Sequence, residues 1–144
     1  MDSSSSPHQT AWTIVNFSTL PLWLAMIIAP KSRLTKALID RVAPLHAALS
    51  VFYSASLISS GVKAEERIDF MSLESVQRAL QQPEGMLAAW THYISFDLFV
   101  GAWIWRRSLA EGRSARLSLL LTWWAGPMGL GLFLGRNRLP SWIP

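Results

Sequence analysis

The chain has 144 residues, 51% of them hydrophobic and 15% charged, with a mean hydropathy of +0.26. That composition is too apolar and too poor in charge for an ordinary soluble domain, and it points to one small integral membrane domain spanning residues 1–144. Cys is absent, which excludes disulfides and thiolate metal sites. A pI of about 10.1 would suit a nucleic-acid binder, but the placement of the basic residues explains it better, and nucleic acid is not an expected partner.

Crossing a bilayer core of ~30 Å takes about 20 apolar residues in a helix. Stretches of that kind occur at 11–29, 44–61, 86–105 and 117–134, and they predict an all-α fold, a four-helix membrane bundle. The first stretch follows "MDSSSSPHQT", which has no Lys or Arg, and no A-x-A-like site follows it, so the first helix is expected to stay in the mature protein. Pro21 interrupts that helix and predicts a bend.

The loop "PKSRLTKALIDRVA" carries Lys31, Arg33, Lys36 and Arg41, and "RRSLAEGRSAR" carries Arg106, Arg107, Arg113 and Arg116, eight of the thirteen basic residues. The positive-inside rule places both loops in the cytoplasm, with both termini outside and a multi-pass location in a bacterial inner membrane. The segment 62–85 then lies outside, with Lys63, Arg67 and Arg78 against Glu65, Glu66, Asp69, Glu74 and Glu84. Arg136 and Arg138, just beyond the last helix, pull weakly the other way.

Within the outer loop, "SLESVQRAL" offers Ser72 as an N-cap and places Leu73, Val76 and Leu80 on one face before Pro83 stops the run. It predicts a short amphipathic helix at the interface, between helices two and three. In the fourth stretch, "GPMGLGLFLG" contains Gly126, Gly129, Gly131 and Gly135, small residues that permit close helix approach around a kink at Pro127.

The third stretch contains His92 and Asp97 where a spanning helix is ordinarily apolar. At ~100° per residue, Asp97 shares a face with Trp90, Tyr93, Gly101 and Ile104, while His92 lies about 140° round with Phe96, Phe99 and Trp103. Counting ~1.5 Å per residue from each helix centre, Asp97 is near the midplane, level with Tyr53 and Trp124, and His92 is level with Asn16. Helix two has an inward polar stripe of His46, Ser50, Tyr53 and Ser54.

A carboxylate at the bilayer centre costs at least ~2.5 kcal/mol, so Asp97 either serves a function or, protonated, hydrogen-bonds a neighbouring helix as structural glue. No metal site is expected, because His46 and His92 lie ~15 Å apart in depth. His46, near a helix end, reads as interfacial or structural, and the eight Trp as interface anchors or packing.

Trp90-x-His92, four residues, then Asp97-Leu98-Phe99 with Trp103 and Arg106 following, resembles the signature of the abscisic-acid-deficient-four-like family of small membrane proteins. "GPMGLGLFLGRNR" is similar to the family's second signature, and the likeness runs from the first helix to Arg136, including "SLESV" in the outer loop. The matching positions are Trp90, His92, Asp97, Leu98, Phe99 and Arg106, then Gly126, Pro127 and Gly129. The chain has Arg106-Arg107 where the family pattern is Arg-Asp.

The resemblance implies kinship with a plant member required for forming neoxanthin from violaxanthin, hence carotenoid biosynthesis and an isomerase reaction. Such a reaction needs one acid and one base, and His92 and Asp97 are the titratable pair expected to supply them. Trp90, Tyr93, Phe96, Phe99, Trp103, Tyr53 and Trp124, with Trp123, are the expected apolar contacts for a carotenoid or isoprenoid ligand, against the alternative of lipid contact and core packing. A second class of reading is a non-catalytic membrane protein that binds a lipophilic ligand or supports another membrane enzyme. A transporter is disfavoured, since there is one intramembrane acid and no repeat. Membrane lipid is an expected partner in every reading; the sequence names no cofactor.

Overall fold

The structure, a computed structural model, describes residues 6–63 and 67–136. Glu65, Glu66 and Arg138, used above in the charge argument, lie outside the described residues. Those residues form seven helices and no strand: α1 (Pro7–Ile28), α2 (Arg33–Asp40), α3 (Ala43–Lys63), α4 (Leu73–Gln81), α5 (Pro83–Ala110), α6 (Arg116–Ala125) and α7 (Pro127–Arg136). Pro opens α1, α5 and α7, where its fixed φ suits a helix and its missing N–H costs no hydrogen bond.

α1 and α3 are long and apolar enough to cross a membrane, and most of each lies outside the protein's own core: 28% of the apolar window is buried in α1 and 11% in α3. The α4 helix forms where Ser72 predicted it, with the Ser72 side chain accepting from the Ser75 N–H at 3.3 Å. Its buried position is Ser75, while Leu73 stands exposed beside Phe70 and Met71. Helix α1 runs through Pro21 without interruption.

Two features differ from the sequence reading. The first basic loop holds a helix, α2, capped by Ser32, whose hydroxyl accepts from the Leu34 N–H at 3.1 Å. Thr35 and Ile39, four apart and therefore on one face, are buried, and the Thr35 hydroxyl donates to the Ala29 and Ala25 carbonyls at 2.7 and 3.2 Å. Those carbonyls lie at the end of α1 and already accept from the Ala29 and Ser32 N–H groups at 3.0 Å, so the Thr35 hydroxyl adds a second bond that ties α2 to that end.

The fourth expected span, 117–134, is two helices of ten residues each, broken at Gly126. Pro127 has no N–H for the Trp123 carbonyl and its ring crowds that group, so the α6 ladder ends there. Helix α5, at 28 residues, exceeds the expected 86–105 at both ends.

The chain divides into two compact units. One contains the described residues up to Ser18 and those of Ala43–Ser95; the other contains Thr19–Val42 and the described residues from Phe96 onward. The first has a small core that mixes Val15, Leu49 and Leu87 with Ser56, Ser60 and Thr91. The second holds the large fully buried side chains Trp23, Met26, Ile39, Leu98, Ile104 and Leu119.

Candidate functional site

In the second unit, Asp97 comes from α5 and sits half-buried against the turn that separates α6 from α7. Its carboxyl group rests on the α-carbon of Gly126: a Cβ built there would lie 2.2 Å from Oδ1 and 2.9 Å from Cγ. Any side chain at position 126 would force the Asp97 carboxyl group to move. Gly129 makes a second close approach, to Thr122 Oγ1 and the backbone of Thr122 and Ser118 in α6. Gly131 and Gly135 face open space, so two of the four glycines expected to allow close packing do so and two do not.

Around this contact, Leu98 is fully buried, and Trp103 meets Phe133 edge-on with ring centroids 5.7 Å apart. Trp23 lies over Gly101, close enough that a Cβ there would be 2.4 Å from the indole. Arg106 donates to the Ile39 carbonyl at 3.1 Å, which closes the end of α2, and Trp105 donates to the Pro30 carbonyl at 2.9 Å. Arg106 therefore has a structural contact, one that the sequence did not disclose because α2 itself was unexpected. Phe96 (60% exposed), Phe99 (64%), Trp103 (42%), Trp123 (42%) and Trp124 (79%) present much of their surface outward.

In the first unit, His92 is exposed and tilted against Tyr53, ring centroids 5.8 Å apart, and against Tyr93 at 6.2 Å. Trp90 stacks on Trp12 at 4.9 Å and donates from its indole to Asn16 Oδ1 at 3.1 Å. His46 Nδ1 stands 3.4 Å from Ser95 Oγ. Among the described residues, no three His, Cys, Asp or Glu side chains come together.

The same unit contains a charge cluster that the sequence reading passed over. Glu84, in the first turn of α5, pairs with Lys63 at the end of α3 and meets His8 Nε2 of α1 at 3.1 Å. The hydrogen bond from Lys63, then its own backbone N–H and His8, hold the Glu84 carboxyl down at about 2. In the sequence Glu84 reads only as loop charge; its place immediately after the helix-starting Pro83 was the available signal.

A family model described as ABA DEFICIENT 4-like matches residues 10–133. No curated protein and no solved structure matches the chain.

Proposed function

The chain belongs to the ABA DEFICIENT 4-like family, and from that premise we propose that it is a multi-pass integral membrane protein acting on a carotenoid or another isoprenoid, with Asp97 as the reacting group. The observation that carries the reading is the seat of Asp97 on Gly126. The two sequence stretches that carry the family likeness, one in α5 and one at the α6–α7 turn, supply the two sides of that contact. Membrane insertion is supported by α1 and α3, apolar helices whose residues stay mostly outside the protein core and so require lipid or a partner around them.

The chemistry proposed is an isomerisation without change of formula. An acid protonates an epoxide oxygen while a base removes a proton from the polyene; the C–O bond breaks, a hydroxyl forms and the double bonds shift to an allene. Asp97 is the titratable residue assigned to one of the two roles, and the family signature, not the geometry, proposes His92 for the other. The exposed aromatic surfaces of Phe96, Phe99, Trp103 and Trp124, and separately those of Trp90 and Tyr93 beside Tyr53, suit a lipophilic substrate arriving through the bilayer.

A second reading, a non-catalytic protein that binds a lipophilic ligand or supports another membrane enzyme, draws on the same contact. A carboxyl group packed this closely on a backbone also suits structural glue. Asp97→Asn separates them, since it keeps the size and hydrogen bonding and removes the titratable proton. The isomerase reading expects Asp97→Asn to accumulate normally in the membrane and to change the isoprenoid profile of the cell, with His92→Gln behaving alike. An unchanged profile for both stably inserted variants refutes it, and loss of the Asp97→Asn protein from the membrane supports glue.

A further inference from the structure

An open-mouthed cavity of about 550 Å³ lies wholly within the second unit, where the end of α1 and the turn after it face the end of α5 and the start of α6. Its polar wall consists of Lys31, Ser32, Ser108, Arg113, Ser114 and Arg116. Three cations line it and no acidic side chain does. The geometry points to a binding site for a phosphate group, either the headgroup of an anionic phospholipid or a free phosphate or diphosphate.

The neighbourhoods of Lys31 and Arg116 support an anion there. Lys31 makes no ion pair among the described residues and is exposed. Arg116 is the first residue of α6 and donates to the Ile28 carbonyl at 3.3 Å, which fixes its guanidinium beside the cavity while leaving its charge uncompensated by that bond. Arg113 is held by Glu111, at 2.8 Å from Nη2 and 3.1 Å from Nε, and stands 5.6 Å from the centroid of Phe133.

Helix α6 itself adds to the positive field. Ala115 at its N-cap gives no side-chain hydrogen bond, no acidic residue lies in its first turn, and Arg116 puts a cation at the positive end of the helix dipole. That combination is unfavourable in isolation, and an anion in the adjoining cavity relieves it. The cavity is far larger than one ion needs and falls within the range of small-molecule sites, so room remains for the glycerol or prenyl portion of a phosphate ester.

The site is separate from Asp97 and does not depend on the isomerase reading. The test uses the full chain, purified in detergent and reconstituted in nanodiscs of phosphatidylcholine with and without phosphatidylglycerol. Native mass spectrometry reads retained phosphatidylglycerol, and titration calorimetry with inorganic pyrophosphate reads the free-phosphate source. Ser114→Glu puts a carboxylate on the rim at an exposed position ahead of α6, where negative charge suits the helix, and Lys31→Gln removes an exposed cation that has no partner to lose. Arg41→Gln, on the same basic loop outside this cavity, controls for overall charge.

Expected is preferential retention of phosphatidylglycerol, or binding of pyrophosphate, that falls at least ~10-fold in Ser114→Glu and clearly in Lys31→Gln, with Arg41→Gln unchanged. Phosphatidylglycerol retention assigns the lipid, and pyrophosphate binding without lipid preference assigns the free phosphate. The inference is overturned if neither probe binds, or if Arg41→Gln loses as much as Lys31→Gln, which would make the attraction a diffuse surface effect.

Discussion

The carboxyl oxygens of Asp97 lie directly against the α-carbon of Gly126, so the acid of α5 and the break between α6 and α7 are one packing unit. As placed, the Asp97 carboxyl group fits only against a bare α-carbon, and a Cβ would displace it. This separates the four glycines of "GPMGLGLFLG" into two classes, which substitution can distinguish.

At Gly129 an added Cβ would fall 2.2 Å from the Thr122 backbone N and 2.3 Å from the Ser118 carbonyl, atoms that cannot turn aside. At Gly126 it would meet a side chain, which can. Gly129→Ala is therefore expected to destabilise most, by ~3 kcal/mol, and Gly126→Ala less, by roughly 1–3 kcal/mol. Gly131→Ala enters open space inside a helix and should be neutral or stabilising by up to ~1 kcal/mol. Thermal unfolding of the three variants in one detergent checks the order; a Gly131→Ala as damaging as Gly129→Ala contradicts it.

Glu84 predicts an acid sensitivity. Its folded pKa, about 2, lies below the ordinary 4.5, so the folded state favours the ionised carboxylate. The sign follows from proton binding: the unfolded chain takes up the proton first, so the contribution is complete above about 4.5 and is lost as pH falls toward 2. Between those limits the wild-type melting temperature should fall more steeply than that of Glu84→Gln, which lacks the titration. Parallel curves for the two proteins across that window would show that the Lys63 and His8 contacts contribute nothing to stability.

Arg106, a residue of the family likeness, is expected to act through α2. Its bond to the Ile39 carbonyl caps an eight-residue helix that is too short to stand alone, so Arg106→Ala should loosen α2 by about 1 kcal/mol. Hydrogen exchange over residues 33–40 should quicken about five-fold while exchange in α3 stays the same. Equal quickening in both helices would mean that the bond is not local in its effect.

What the sequence disclosed follows the strength of each local signal. The long apolar helices α1 and α3 were legible from apolar length alone, and α4 from a Ser cap followed by an apolar face. Helix α2 was hidden by its own charge: Lys31, Arg33, Lys36 and Arg41 drew the reading toward topology, although Ser32 before a Thr35–Ile39 pair was a sufficient helix signal. The last segment was read as one span kinked at Pro127 because its composition is uniformly apolar across Gly126; the interruption falls at that proline, but as a break between two helices rather than a bend in one. At the site, residue types were legible but contacts were not: nothing in the spacing of α5 says that Asp97 meets Gly126, or that Glu84 gathers Lys63 and His8.

The four-span reading is the remaining claim that chemistry can test cleanly, because the chain has no cysteine and any introduced one is unique. Only α1 and α3 meet the length and apolarity of a span, whereas α5 contains Asp97 and His92, and the last segment is broken at Gly126. With two spans, everything after α3 would share one side of the membrane, including both Met71 and Ser114. With four, Met71 lies outside and Ser114 lies inside with the basic residues around it, as the positive-inside rule requires. Both positions are exposed and make no helix-core contact, so Met71→Cys and Ser114→Cys should fold normally. A membrane-impermeant maleimide applied to intact cells is expected to label Met71→Cys at once and Ser114→Cys only after permeabilisation. Labelling of both in intact cells would leave α5 and the α6–α7 pair outside the bilayer core, removing the insertion cost that made Asp97 a functional candidate.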